Sequence, residues 1–130
     1  MNIPEDLRYT KTHEWARKED DEIVCGITDY AQRELADIIA VNLVSPGTLL
    51  EKGEKFGTVE AVKAVEDLFT PMSGEVIDIN SELASQPEIV NEDPYGKGWM
   101  IRIKVSNPSE WDELMDATTY REYVMKLLKG

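Results

Sequence analysis

Among the side chains that could do chemistry, a lysine stands out by its setting. Lys63 lies between two strand-like runs, Phe56 to Val62 and Ala64 to Phe69, each mixing β-branched and aromatic residues with acids. Lys52-Gly53-Glu54 and Thr70-Pro71-Met72-Ser73-Gly74 bracket them as turns. The simplest geometry is a hairpin with Lys63 at its tip and its ammonium in water. Val62-Lys63-Ala64 lacks the Gly or Asn that tight hairpins usually carry, but a type I turn accepts these residues. Such a lysine has three uses: a plain surface charge, a Schiff-base catalyst, or an attachment point for a carried group. A Schiff-base lysine needs an apolar pocket or a neighbouring cation, whereas the neighbours of Lys63 are the acids Glu60, Glu66 and Asp67. Acylation of this lysine therefore calls for a dedicated enzyme.

The other reactive types are sparse. Cys25 is the only cysteine and His13 the only histidine, so no internal disulfide forms and one chain cannot assemble a zinc site. No Ser or Cys nucleophile with a matching base is evident; His13 reads as a structural residue and Cys25 as a small core hydrophobe. Acids outnumber bases 26 to 14, for a net charge of −12, which excludes nucleic acid and anionic membrane surfaces as natural partners. Protein partners should carry basic patches, and their encounter should weaken as salt rises.

The elements that must position Lys63 read as mostly β. The 130 residues suit one domain, with a core over about residues 7–105 and a helical tail over about 107–128. Glu14 to Arg17 and Glu22 to Gly26 are short strands joined by a charged loop, Lys18-Glu19-Asp20-Asp21, with Trp15, Ile23, Val24 and Cys25 facing the core. Thr28 or Asp29 caps a brief helix through Leu35, with Gln32 completing a capping-box-like arrangement. Ile38 to Leu43, Leu49-Leu50 and Glu75 to Ile79 are further strands. Asn80-Ser81-Glu82 starts a helical turn, Asn91 to Gly98 is a loop, and Trp99, Ile101, Ile103 and Val105 alternate with Met100, Arg102 and Lys104 as a period-two strand. Asn107, Pro108 and Glu110 form a capping box that should open the final helix, whose apolar stripe is Tyr120, Tyr123, Val124, Leu127 and Leu128. No apolar run approaches the roughly 18 residues of a membrane span. The N-terminal residues have neither secretory-signal nor transit-peptide character, so the expected location is a prokaryotic cytoplasm, or a mitochondrial matrix if a transit peptide has been trimmed.

Four separated runs carry a family resemblance. Glu60-Ala61-Val62-Lys63-Ala64, followed by Gly74 eleven residues beyond the lysine, resembles the lipoylation hairpin of the glycine cleavage H-protein family. Tyr9 to Trp15 resembles its Y-x-x-x-H-E-W opening, Gly26 to Gln32 its G-I-T-x-x-A-Q segment, and Asn91 to Trp99 its N-x-x-P-Y-x-x-G-W segment. A biotin carrier would be expected to show methionines beside the lysine, where this chain has Val62 and Ala64.

The resemblance implies a barrel-sandwich hybrid of the lipoyl-carrier type with short helices and a C-terminal helix, and lipoate in amide linkage to Lys63. It implies a non-catalytic shuttle of the glycine cleavage system. Its arm would accept the aminomethyl group from a pyridoxal-phosphate glycine decarboxylase, deliver it to a folate-dependent aminomethyltransferase, and be reoxidised by dihydrolipoyl dehydrogenase. Lipoylating enzymes would be further partners, reading the hairpin with Glu60 and Gly74. A cleft would shelter the cationic loaded arm from water, with Thr12, Glu14 and Asp67 as its candidate lining. Some family members have a histidine near the arm where this chain has Glu34, so any contribution from that position has the opposite charge. The alternatives are a lipoyl relay donating lipoate to other enzymes, a small enzyme using Cys25 or His13 with Glu14, and a scaffold docking through its acidic surface.

Overall fold

The computed structural model describes all of residues 1–130. Nine strands form two antiparallel sheets. In chain order they are β1 (Arg8–Tyr9), β2 (Glu14–Glu19), β3 (Glu22–Ile27), β4 (Ile38–Leu43), β5 (Leu49–Leu50), β6 (Lys55–Ala61), β7 (Val65–Phe69), β8 (Gly74–Ile79) and β9 (Ile101–Val105). The larger sheet runs β1-β2-β3-β9-β8-β5 and the smaller β4-β6-β7. Helices α1 (Asp29–Leu35), α2 (Ile89–Glu92) and α3 (Ala117–Lys129) and two 3-10 turns, Ser81–Ala84 and Pro108–Glu113, complete the fold. This is the mainly β sandwich with short helices and a C-terminal helix that the sequence implied.

At β3 the larger sheet is buried on both faces, which explains why residues 23–27 run apolar without a break. Ile23, Cys25 and Ile27 enter the main core with Phe56, Val59 and Leu68 of the smaller sheet. Val24, one residue out of phase, packs with Trp15, Tyr9, Tyr120 and Val124 beneath α3. Alternation therefore separates two cores rather than core from solvent. Each fully buried side chain of this size contributes about 1.5–3 kcal/mol, so α3 is fixed chiefly by Tyr120 and Val124.

The tail departs from expectation. Pro108 opens a 3-10 helix, Pro108–Glu113, and Asn107 makes no capping bond. Glu110 accepts instead from the Ser73 N–H and hydroxyl, each at 2.8 Å, pinning this turn to the sheet. The chain is extended at Leu114, and α3 starts afresh with Asp116 accepting from the Thr119 N–H. The apolar stripe is buried only in its first half: Leu127 and Leu128 are exposed. Smaller differences follow from local chemistry. Asp20 takes a left-handed conformation, φ 57°, and shortens the β2–β3 loop to Asp20-Asp21. The expected loop at Asn91 begins inside the short α2, and the last strand starts at Ile101, after Trp99, whose N–H closes the preceding turn on the Gly96 carbonyl, and Met100, which bonds Cys25 and Asn80.

Candidate functional site

β6 and β7 form the expected hairpin, with Glu60 opposite Val65 and the Ala61 N–H donating to the Ala64 carbonyl at 2.8 Å. Val62, Lys63 and Ala64 all have negative φ, so the turn needs no glycine. The tip is also held from the side, where the Val62 N–H donates to the Asp37 carbonyl at 3.1 Å. Lys63 and Val62 are exposed, and Lys63 makes no ion pair.

The strand alternation that leaves Glu60 and Val65 on the outer face turns Val59 inward and puts the exposed Glu66 on the same face of the hairpin. There they form one wall of a cleft of about 510 Å³ that reaches Ala64 beside the lysine. The residues before and at the start of β2 form a second wall, with Lys11, Thr12, His13 and Glu14, and α1 forms a third. Thr12 and Glu14, together with the distant Asp67, all line this space.

Glu14 is the most unusual of them, a carboxylate only 1% exposed. One oxygen accepts from the Thr10 hydroxyl at 2.6 Å and from Thr12, and the other from the Phe69 N–H at 3.2 Å. These donors favour the ionised form, yet burial dominates and pushes Glu14 up to about 7. No protein cation pairs with it. Asp67 differs: it is exposed and pairs with Lys55 at 3.1 Å. Thr12 is exposed but its hydroxyl is committed to Glu14.

Glu60 sits on the outer face of the hairpin, half-buried, and is absent from the cleft. Gly74 lies in the other sheet, at the start of β8, where it pairs with Leu50 and Val105. A Cβ there would fall on the Lys104 carbonyl oxygen and 2.6 Å from Ile103 Cγ2, which gives the glycine a packing reason of its own. Cys25 is fully buried, and burial pushes its thiol up.

The remaining lining comes from Ile27 at the end of β3 and from α1, and its spacing was legible in the sequence. Tyr30, Ala31, Glu34 and Leu35 recur at i, i+1, i+4 and i+5 on one face of α1 turned to the cleft, and Ile27 continues that wall from the end of β3. Glu34 is thus part of the wall, its carboxylate accepting from the Tyr30 hydroxyl at 3.4 Å. Two motif segments prove to be supports for that helix. Thr28 caps α1 by accepting from the Ala31 N–H, and Asn91 donates to both Gln32 and the Ala36 carbonyl. Tyr95 accepts from the Asp29 N–H.

A family model described as "Glycine cleavage H-protein" matches residues 7–127. The chain belongs to the glycine cleavage H-protein family. It is 53% identical over 124 residues to the glycine cleavage system H protein of Anaeromyxobacter sp. (strain K), covering 95% of this chain and 97% of that one. It is 55% identical over 126 residues to that of Chlorobium phaeobacteroides, covering 95% and 98%. The crystal structure of a glycine cleavage system H protein from Mycobacterium marinum superimposes with a TM-score of 0.85 at 33% identity, covering 95% of this chain and 98% of that one. The barrel-sandwich architecture is therefore the family's.

Proposed function

We propose that Lys63 carries lipoate in amide linkage and that the protein is the lipoyl-carrying shuttle of a glycine cleavage system. The observation that carries this reading is the pairing of an exposed, unpaired lysine at a hairpin tip with an adjoining cleft that holds a buried carboxylate without a cation. An ionised Glu14 has hydrogen-bond donors around it but no cation, so its charge is left for a ligand to meet. Apolar walls from Ile27, Val59, Leu35 and Leu68 suit an aliphatic arm. The residues present therefore fit the group.

Bound lipoate supplies a dithiolane that can accept electrons together with a one-carbon amine. The chain's own residues then have separate tasks. The hairpin displays Lys63 to the enzymes that act on it. Glu14, oriented by Thr10 and Thr12, holds a cationic amine by a charge-assisted hydrogen bond at the buried end of the cleft. Asp67, already shared with Lys55, adds negative potential at the mouth. No catalytic group is required of the protein, in keeping with a buried Cys25 and a His13 that has no nucleophile beside it. The partners are a glycine decarboxylase, an aminomethyltransferase, dihydrolipoyl dehydrogenase and lipoylating enzymes, met in the cytoplasm through their basic patches. Glu60, on the outer hairpin face, serves recognition by the lipoylating enzyme, and Gly74 keeps β8 in register.

Reconstitution tests the reading. Lipoylated wild-type chain should support glycine decarboxylation by the decarboxylase, and Lys63→Arg should fold normally but support none. Activity from the Lys63→Arg chain would refute the carrier role.

A further inference from the structure

A buried chain of hydrogen bonds links α3 to the cleft wall and fixes more than position. Tyr120 Oη lies 2.8 Å from Thr28 Oγ1 and 2.8 Å from His13 Nδ1. Thr28 Oγ1 already accepts from the Ala31 N–H at 3.2 Å. Thr28 is fully buried, and its hydroxyl proton has one acceptor within reach, Tyr120 Oη. Thr28 must therefore donate to Tyr120, Tyr120 must donate to His13, and Nδ1 must be the acceptor. The imidazole proton then sits on Nε2. That nitrogen has no partner in the protein, yet no buried side-chain nitrogen or oxygen lacks one. Nε2 is consequently open to solvent, on a residue that lines the cleft.

We propose that His13 is a neutral N–H donor of the cleft, locked as the Nε2–H tautomer by Thr28 and Tyr120, and that it receives a hydrogen-bond acceptor of the Lys63-linked arm, either its amide carbonyl or a sulfur. The proposal rests on the carrier reading and deepens it. Glu14 offers an acceptor to the cationic end of the arm; His13 offers the complementary donor. Protonation of His13 would force Nδ1–H to donate to Tyr120, turn the Tyr120 proton toward Thr28, and leave the Thr28 proton with no acceptor in a fully buried site. It would also place a second cation beside the first. The groups around the imidazole are Tyr30 and Glu34 from α1, Tyr120 and Tyr123 from α3, and Lys11 and Glu14 from its own segment, with Glu66 and Asp67 across the cleft. Burial holds His13 below the usual imidazole range, and only Glu34 works noticeably against it. The fold accepts a left-handed backbone at His13, φ 73°, to put the ring there.

His13 is the only histidine, so a nitrogen-15-labelled full-length chain gives one set of imidazole signals. Long-range proton–nitrogen spectra of the unmodified protein at neutral pH should show an unprotonated Nδ1 and a protonated Nε2. A protonated Nδ1, or an even mixture of tautomers, would overturn the relay. Tyr120→Phe keeps the stack on Tyr9 but removes the donor to Nδ1, and should change a single tautomer to comparable populations of both; Thr28→Ser should preserve the wild-type spectrum. The second part uses chain lipoylated in vitro and verified by mass, in three states: oxidised, reduced, and reduced then treated with formaldehyde and ammonia. The last treatment condenses one thiol with both reagents to an S–CH2–NH3+ group and releases water. A shift of the Nε2 signal in every lipoylated state identifies the amide carbonyl as acceptor, and a shift in the last state alone identifies the substituted sulfur. An unmoved signal in all three overturns the donor role. If Lys63 accepts no lipoate, the carrier reading fails instead, while the tautomer result stands by itself.

Discussion

Glu14→Gln tests whether the cleft acid is held against its preference. Burial raises Glu14 from 4.5 to about 7 in the folded chain, so between those values the folded state holds a proton that the unfolded state has lost. Stability contributed by this group is complete below the unfolded value and is lost as pH rises through the folded one. A shift of that size corresponds to about 3 kcal/mol at pH 8, of which roughly 2 kcal/mol appears between pH 5 and pH 8. The amide that replaces the carboxylate does not titrate, and the other ionisable groups are common to both chains. The difference between the two unfolding free energies therefore isolates Glu14 across the pH range. Urea denaturation followed by circular dichroism at several pH values should show wild type losing about 2 kcal/mol more than Glu14→Gln from pH 5 to pH 8. The absolute offset depends on how well the amide meets the Thr10, Thr12 and Phe69 donors; the slope does not. Parallel curves would refute the claim that burial outweighs those donors. A cation bound in the cleft should flatten the wild-type slope, because it stabilises the ionised carboxylate.

Other outcomes follow from the same geometry. Gly74→Ala should cost about 1–3 kcal/mol, since a Cβ meets the Lys104 backbone, and the fraction that folds should still be lipoylated at the wild-type rate; selective loss of lipoylation would make Gly74 a recognition residue instead. Glu60→Gln, at a half-buried outer-face position, should change thermal unfolding by no more than about 0.5 kcal/mol yet slow in vitro lipoylation, measured by intact mass. Raising salt from about 50 to 300 mM should increase severalfold the concentration of carrier needed to half-saturate the decarboxylase, because a chain of net charge −12 is steered by long-range attraction. Cys25 should resist iodoacetamide in the native chain and react on unfolding, as a fully buried thiol must.

Local patterns made much of this molecule readable before its structure. β4 and β5 begin and end where their β-branched and apolar residues do, and Thr28 caps α1 as its hydroxyl and spacing suggest. The hairpin tip was harder: Val62-Lys63-Ala64 has no turn signature, and the side contact that steadies it comes from Asp37, distant in sequence. The tail misled because Asn107-Pro108-Glu110 satisfies a helix-start pattern locally while Glu110 is claimed by Ser73. Tertiary hydrogen bonding outweighed the capping rule. In the site, the opening motif singled out Thr12 and Glu14, and a place four residues beyond Lys63 singled out Asp67, but their physical states diverge in ways no spacing conveys. Glu14 is buried because β2 carries it beneath the Phe69 backbone, whereas Asp67 remains in solvent with Lys55. The cleft face of α1 was present in the spacing of Tyr30, Ala31, Glu34 and Leu35, and His13 drew a structural reading because its tie to Tyr120 spans most of the chain.

Intact-protein mass spectrometry of the chain purified from its native source, with peptide mapping of residues 60–67, decides whether Lys63 bears the arm. One lipoyl group, confined to Lys63, is expected on the chain from lipoate-replete cells. A uniformly unmodified Lys63 under those conditions would contradict the carrier role and leave the cleft without the arm it is proposed to shelter.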